Sequence, residues 1–321
     1  MTSQADLGRL QKKIWDGSIP LEIRLASSEC RTFDQSDAYM IQYPRLSYLP
    51  FLLARLHAFF SSFLINPDVS PSDGWLSYED VPLKWHYPLG LLYDLYSGAE
   101  PNHAQRSSNI TDPTPELLTE EAEDTECRPG QLPWRLTLHF TDWPSDQLIP
   151  LDAERKFQQD TFMHSVKEAG FLRYGSAKVV TSLSKDDSTQ LWNSVETHNL
   201  YMFNTINQKL INPPGFGMKH VPMKIYLPST APTTVSDNNI AGSLRIVQAP
   251  VSPNLSSRQT QTVGTALHSL IPSLFPSRRS PLLAQAILHG AVLPLGTPLE
   301  ELSKVAAYAD GFLHFTVCMM G

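Results

Sequence analysis

Trp134-Arg-Leu-Thr-Leu-His-Phe140 and Phe312-Leu-His-Phe-Thr-Val-Cys318 decide how this chain is read. The first alternates apolar and polar residues, the period of a half-buried strand, because successive strand side chains point to opposite faces. The second reads as a strand as well, and the elements before each follow the same order. Upstream of Trp134, Ile19, Leu21, Ile23 and Leu25 alternate as one strand, and 38–43 forms another. Residues 49–64 carry apolar positions at helical spacing. Short strands follow at Trp75–Tyr78 and 83–85, then a short helix over Leu89–Tyr96. Upstream of Phe312 the order is strands at 221–227 and 243–248, a helix at 263–275, a strand at Ala284–Leu288 and a short helix at 298–306. Pro88-Leu-Gly90 and Pro294-Leu-Gly296, with Leu138-His-Phe140 and Leu313-His-Phe315, stand at what look like matching places. Two modules of one topology are expected.

Between them lies a different kind of sequence. The chain has 26 prolines in 321 residues, yet none from Leu151 to Asn212. Proline breaks helix interiors, so helices are expected here. Phe162, Met163, Val166 and Ala169 follow helical spacing; Leu191, Trp192, Val195, Met202, Phe203, Ile206 and Leu210 extend a second stripe, with Ser184 to Asp187 as its cap. The fold class is therefore α+β: two ubiquitin-like β-grasp modules, each a hairpin, a helix across the sheet and further strands, flanking a helix-rich domain. The boundaries fall at 18–150, 151–215 and 216–321. The apolar stretch 46–65 could suggest a membrane span, but Pro50, Arg55, His57 and its serines favour a core helix with one apolar stripe.

Charge sharpens the division. The net charge is −7, and residues 98–131 alone hold eight acids against Arg106 and Arg128, a balance of −6. The remaining chain is near neutral, with no basic field for nucleic acid. This acidic insert reads as disordered, and 228–262, rich in Ser, Thr, Pro and Asn, as mostly flexible apart from its strand. Cys30, Cys127 and Cys318 are few and far apart, unlike a disulfide scaffold, and residues 1–20 lack a signal-peptide core, so a reducing cytosol is expected.

Catalytic signatures are missing. The sequence contains no Walker loop, GxGxxG, HExxH or GxSxG, and no cysteine pair has metal-ligand spacing. No cofactor is expected. Cys318 and Cys30 could in principle be thiolate nucleophiles, but nothing beside either argues for a lowered pKa. His139 and His314 lie in strands, where a structural hydrogen bond is the ordinary role. The chain ends Met319-Met-Gly321 and not in the di-glycine of a conjugated modifier.

Pro82-Leu-Lys-Trp-His-Tyr-Pro-Leu-Gly-Leu-Leu-Tyr-Asp-Leu95 resembles the signature segment of the autophagy protein 5 family, and Tyr43–Leu49, Gln190-Leu-Trp192 and Asn207-Gln-Lys-Leu210 match it too. The chain is similar to fungal-type members from about Ile14 to Val317. The resemblance implies a short N-terminal helix within residues 1–17. It implies covalent attachment, through one lysine, to the ubiquitin-like autophagy protein 12, by a conjugation route using autophagy proteins 7, 10 and 3. It further implies binding to coiled-coil autophagy protein 16. The assembly would act like an E3 ligase, promoting transfer of autophagy protein 8 to phosphatidylethanolamine at the growing autophagosome. The chain itself would be a non-catalytic subunit, cytoplasmic and peripheral at the phagophore membrane.

The resemblance carries the acceptor lysine onto Lys167, in Phe162-Met-His-Ser-Val-Lys-Glu-Ala169. By residue pattern alone Lys167 is an ordinary solvated helix lysine, beside the apolar stripe and free to reach solvent. A lysine amine ordinarily titrates near about 10.4, so activation must come from the enzyme holding the thioester. The resemblance also places Gly90 and Asp94 in the region that binds the autophagy protein 16 helix: Gly90 to permit close approach, Asp94 to anchor a basic residue. On the residues alone, a turn glycine and a solvated carboxylate serve equally well. Arg9, Lys12, Lys13, Lys219 and Lys224 could touch a membrane or simply be solvated. The alternatives are a thioester-forming ligase using Cys318 or Cys30, and an unconjugated ubiquitin-like adaptor.

Overall fold

The computed structural model describes residues 4–31, 37–96, 132–228 and 244–320. The acidic insert lies outside them, as does 229–243. Helix α1 (Gln4–Trp15) leads into β1 (Ser18–Leu25) and β2 (Tyr39–Pro44), an antiparallel pair. A 3-10 turn at Leu49–Leu52 opens α2 (Leu53–Phe60). Strands β3 (Trp75–Tyr78) and β4 (Val81–Pro82), helix α3 (Leu89–Tyr96) and strand β5 (Trp134–His139) complete the first unit. Its sheet runs β2-β1-β5-β3-β4, with β1 and β5 parallel. Ile19, Leu21, Ile23 and Leu25 face Leu53, Leu56 and Phe60 of α2 in one buried cluster. The alternation in β1 and β5 is thus the alternation of core and open face.

Two expectations shift here. The helix expected over 49–64 is shorter: Pro50 sits in the 3-10 turn, and α2 ends at Phe60. Among the described residues no helix is long and apolar enough to cross a membrane. The strand expected at 83–85 is instead Val81–Pro82, because Glu79 and Asp80, both at positive φ (47° and 63°), turn the chain straight back after Tyr78. Leu83 and Trp85 remain buried beyond it.

The helical region contains α4 (Lys156–Tyr174), α5 (Lys178–Thr181), α6 (Lys185–Glu196) and α7 (Leu200–Ile211). The single stripe expected from 191 to 210 is broken in two. His198 adopts φ 53°, and the Asn199 side chain caps α7 by accepting from Met202 N–H at 3.0 Å. Both halves bury their apolar residues, so the periodicity survives while the axis turns. Ser184 caps α6 from Asp187 N–H at 2.9 Å. The Trp15 ring stacks on His198 at 4.9 Å and donates its indole N–H to the His198 carbonyl at 3.1 Å, docking α1 at this bend.

The second unit comprises β6 (Met223–Pro228), β7 (Leu244–Gln248), a small hairpin β8 (Asn254–Ser256) and β9 (Gln259–Thr260), then α8 (Val263–Leu270). It continues with β10 (Ala284–Leu288), β11 (Ala291–Val292), α9 (Leu299–Val305) and β12 (Leu313–Met319). The sheet runs β11-β10-β12-β6-β7, with β6 and β12 parallel. Reversed, this is the order of the first sheet, so the duplicated topology is real. The described part of 228–262 is more regular than expected, since it holds β7 and the β8–β9 hairpin.

The tripeptides do not mark that duplication. Thr137 pairs with Ser77 and Thr316 with Ile287, each one residue before the end of its hairpin, and the hairpin turns Glu79-Asp80 and His289-Gly290 share positive φ. His139 therefore corresponds to Cys318, and His314 to Arg135. Likewise Leu83 N–H donates to Leu76 and Leu293 N–H to Ala286, which aligns Pro88 with Pro298 and not with Pro294. The matches of Leu-His-Phe and Pro-Leu-Gly are coincidences of composition.

The two sheets differ in what covers their second face. On β5, Arg135 is exposed and Thr137 and His139 are half-buried; on β12, His314 and Thr316 are each only 3 % exposed. Helix α3 packs on β12 and α4 is tied to β6 and β7. The second sheet is thus sandwiched, and its polar face is buried.

Candidate functional site

Helix α4 presents two unlike faces. Phe162, Val166 and Ala169 are buried, as is Arg173, whose guanidinium donates to the Gly311 carbonyl at 3.0 Å. On the other side Phe157, Asp160, His164, Lys167 and Phe171 form an exposed stripe. Spacings of three and four residues put these side chains on one face. Lys167 has no hydrogen bond or ion pair among the described residues. Its neighbour Glu168 differs. One carboxylate oxygen accepts from Lys224 Nζ at 2.9 Å and the other from Gln248 Nε2 at 2.8 Å. Partial burial works to raise the Glu168 carboxyl, but Gln248 and Lys224 outweigh it and hold it below its ordinary value.

A second polar cluster joins the first unit to the second. The Asp94 side chain is 2 % exposed. One oxygen pairs with the Arg45 guanidinium, and the other accepts from Gly290 N–H at 2.8 Å, in the β10–β11 turn. Burial pushes the Asp94 carboxyl up, and Arg45 and Gly290 draw it back only in part. Beside it His314 bridges Tyr226 Oη and Asp310 Oδ2, each at 2.9 Å. Burial acts to raise Asp310, yet His314 and the Phe312 N–H hold it below the usual carboxylate range. This Asp-His-Tyr order resembles a catalytic relay in sequence only. All three residues are buried.

Models of three parts of one family match the chain: autophagy protein ATG5 UblA domain over residues 14–140, its alpha-helical bundle region over 155–213, and its UblB domain over 220–317. The chain is 56 % identical over 321 residues to an autophagy protein 5 of Phaeosphaeria nodorum, covering 100 % of both chains. The chain belongs to the autophagy protein 5 family. An Aspergillus terreus autophagy protein 5 is 47 % identical over 334 residues, again with 100 % of both chains covered. The crystal structure of Kluyveromyces marxianus Atg5 superposes with a TM-score of 0.69 over 96 % of this chain and 99 % of that one, at 21 % identity. That likeness bears on the fold alone. Family membership and two ubiquitin-like domains give this chain a role in autophagy.

Within this family member, the expected partner-binding pair lies in the seam between units. The Asp94 carboxylate is buried and pairs with a basic residue of its own chain, Arg45. Gly90 is the second residue of α3, in its first turn. A Cβ there would approach Arg45 Cβ to 2.8 Å and the Arg45 carbonyl to 3.0 Å, while Gly90 N–H donates to that carbonyl at 2.7 Å. The absent Cβ lets α3 approach the Arg45 segment closely. Alanine is the better helix former by about 1 kcal/mol, but the clash is with backbone, which cannot swing aside. Gly90→Ala is therefore expected to cost a net of about 1–3 kcal/mol, read from the denaturant midpoint; an unchanged midpoint contradicts the packing argument.

The residues that sequence reasoning missed are Arg45, Gly290, Asp310, Tyr226 and Glu168. Arg45 lay inside a segment already quoted for the family, and that was the available signal. Lys224, grouped with possible membrane contacts, sits 4.1 Å over the Phe312 ring and pairs with Glu168. Lys12 pairs with Asp16, and Arg9 with Asp6 at 3.6 Å. Cys30 is half-buried and donates to the Ala26 carbonyl at 3.5 Å; Cys318 is also half-buried, near the end of β12. Among the described residues no cluster could hold a metal ion.

Proposed function

We propose that this autophagy protein 5 family member is a non-catalytic acceptor and scaffold. Lys167 forms an isopeptide bond with the C-terminal glycine of the ubiquitin-like autophagy protein 12, delivered through autophagy proteins 7 and 10. The conjugate binds coiled-coil autophagy protein 16. As an E3-like complex it promotes transfer of autophagy protein 8 from autophagy protein 3 to phosphatidylethanolamine, in the cytoplasm and peripherally at the phagophore membrane. The observation that carries this reading is the placement of Lys167: exposed, without a partner among the described residues, on a helix whose opposite face is packed. A nucleophile must be both accessible and held in place. Gly90 and Asp94 support autophagy protein 16 binding from beneath, by fixing α3 against Arg45 and Gly290.

The conjugation step is an aminolysis. The neutral Lys167 amine attacks the thioester carbonyl carbon, the C–N bond forms as the C–S bond breaks, and the enzyme thiolate leaves with the electron pair. The amine's surplus proton passes to water. Lys167→Arg keeps charge and helix propensity but removes this nucleophile. It is expected to abolish the conjugate entirely while the thermal unfolding midpoint stays unchanged. Intact-mass measurement and isopeptide mapping on protein from its own cells check this. Conjugate surviving in the variant overturns the assignment, and a single unmodified mass in the wild type favours an unconjugated adaptor.

A further inference from the structure

We infer that Glu168 is a positioning residue for the transfer to Lys167, acting as a clamp between α4 and the second ubiquitin-like sheet. The inference rests on Lys167 being the acceptor. Helical residues i and i+1 point about 100° apart, so Glu168 and Lys167 do not face one another. Glu168, its side chain 45 % exposed, leans toward the second sheet, where both its oxygens are engaged: by Lys224 of β6 at 2.9 Å and Gln248 of β7 at 2.8 Å. Lys224 and Gln248 are themselves cross-strand partners, so the two donors converge from adjacent strands on one carboxylate. Lys224 is further held over the Phe312 ring, and its side chain is only 18 % exposed.

The same stretch of α4 is seated at two more points. The Arg173 guanidinium reaches the Gly311 carbonyl at 3.0 Å, and Ala169 packs so closely on Gly311 that a Cβ there would meet Ala169 Cβ at 3.2 Å. These apolar and buried contacts keep the helix attached when the clamp is removed. What the clamp adds is rotation: it fixes the turn that aims Lys167 outward. It also occupies the carboxylate nearest in sequence to the attacking amine. Salt pairs at a half-exposed site contribute little to stability, whereas reaction rate is steeply sensitive to nucleophile placement, a 1 Å error costing on the order of 100-fold.

The test is reconstituted conjugation of the full-length chain, with the conjugating enzyme charged with autophagy protein 12 as thioester. Glu168→Ala is expected to lower kcat about tenfold with KM for the charged enzyme unchanged and the unfolding midpoint within error of wild type. Lys224→Met with Gln248→Leu should give the same loss, and adding Glu168→Ala to that pair should give none further. Glu168→Gln, which keeps one acceptor oxygen, should recover most of the rate. Wild-type kcat in Glu168→Ala, or a raised KM with kcat intact, overturns the clamp. Isopeptide mapping separates this from the acceptor reading: conjugate at Lys167 at an undiminished rate removes only the clamp, while conjugate on another lysine removes the acceptor assignment.

Discussion

Asp94→Ala is expected to destabilise the protein by about 3–5 kcal/mol, the cost of removing one member of a buried ion pair and leaving the other charge unmatched. The side chains of Arg45 and Asp94 are 13 % and 2 % exposed, so water cannot replace the lost carboxylate. The Gly290 N–H loses its acceptor at the same time, and the Arg45 Nε already lacks a hydrogen-bond partner among the described residues. The loss should show in the guanidinium midpoint at pH 7, with accelerated amide exchange at Gly290. Asp94→Asn, which still accepts from Gly290, should cost less. Arg24→Ala on the open face of the first sheet should cost under about 1 kcal/mol. A loss of that small size in Asp94→Ala contradicts the seam described here.

Acidification is expected to be the other large effect. Burial lowers His289 to about 4 from an ordinary 6.5, and Arg45 and His314 push it the same way. Its folded-state value lies below its unfolded one. The unfolded chain therefore binds protons first as pH falls from about 6.5 towards 4, and stability is lost across that window. His289 should remove about 2 kcal/mol by pH 5. Asp310, held low, acts in the same direction as pH falls further, while Asp94, raised by burial, offsets part of the loss. His289 donates to the Ala306 carbonyl at 2.8 Å and adopts φ 53°, a conformation asparagine tolerates. In His289→Asn the difference in stability between pH 7 and pH 5 should shrink by about 2 kcal/mol. An undiminished difference would assign the acid sensitivity elsewhere.

How far the chain could be read depended on how local each feature is. The alternation in β1 and β5, the Ser184 cap and the proline-free window all speak within a few residues, and they placed the strands and the helical region. The bend at His198 escaped because the apolar spacing runs through it, and only the backbone conformation breaks the helix. The repeated tripeptides misled for a related reason. Equivalence between the two units is defined by strand pairing and hairpin turns, which three-letter matches do not report.

Sequence by itself determined that this chain has two β-grasp units around a helical one, that Lys167 lies beside an apolar stripe, and that its family is that of autophagy protein 5. Periodicity, capping and a long motif are properties of neighbouring residues and need no contacts to be seen. Tertiary structure alone decided that the second sheet is covered on both faces and the first is not. It also decided that Asp94 is spent on Arg45, 49 residues away, and on Gly290, 196 residues away. Glu168, beside Lys167, is likewise held from strands 56 and 80 residues on. Those partners are chosen by which surfaces the units bury against each other, and a buried charge takes whichever counter-charge that burial brings within reach.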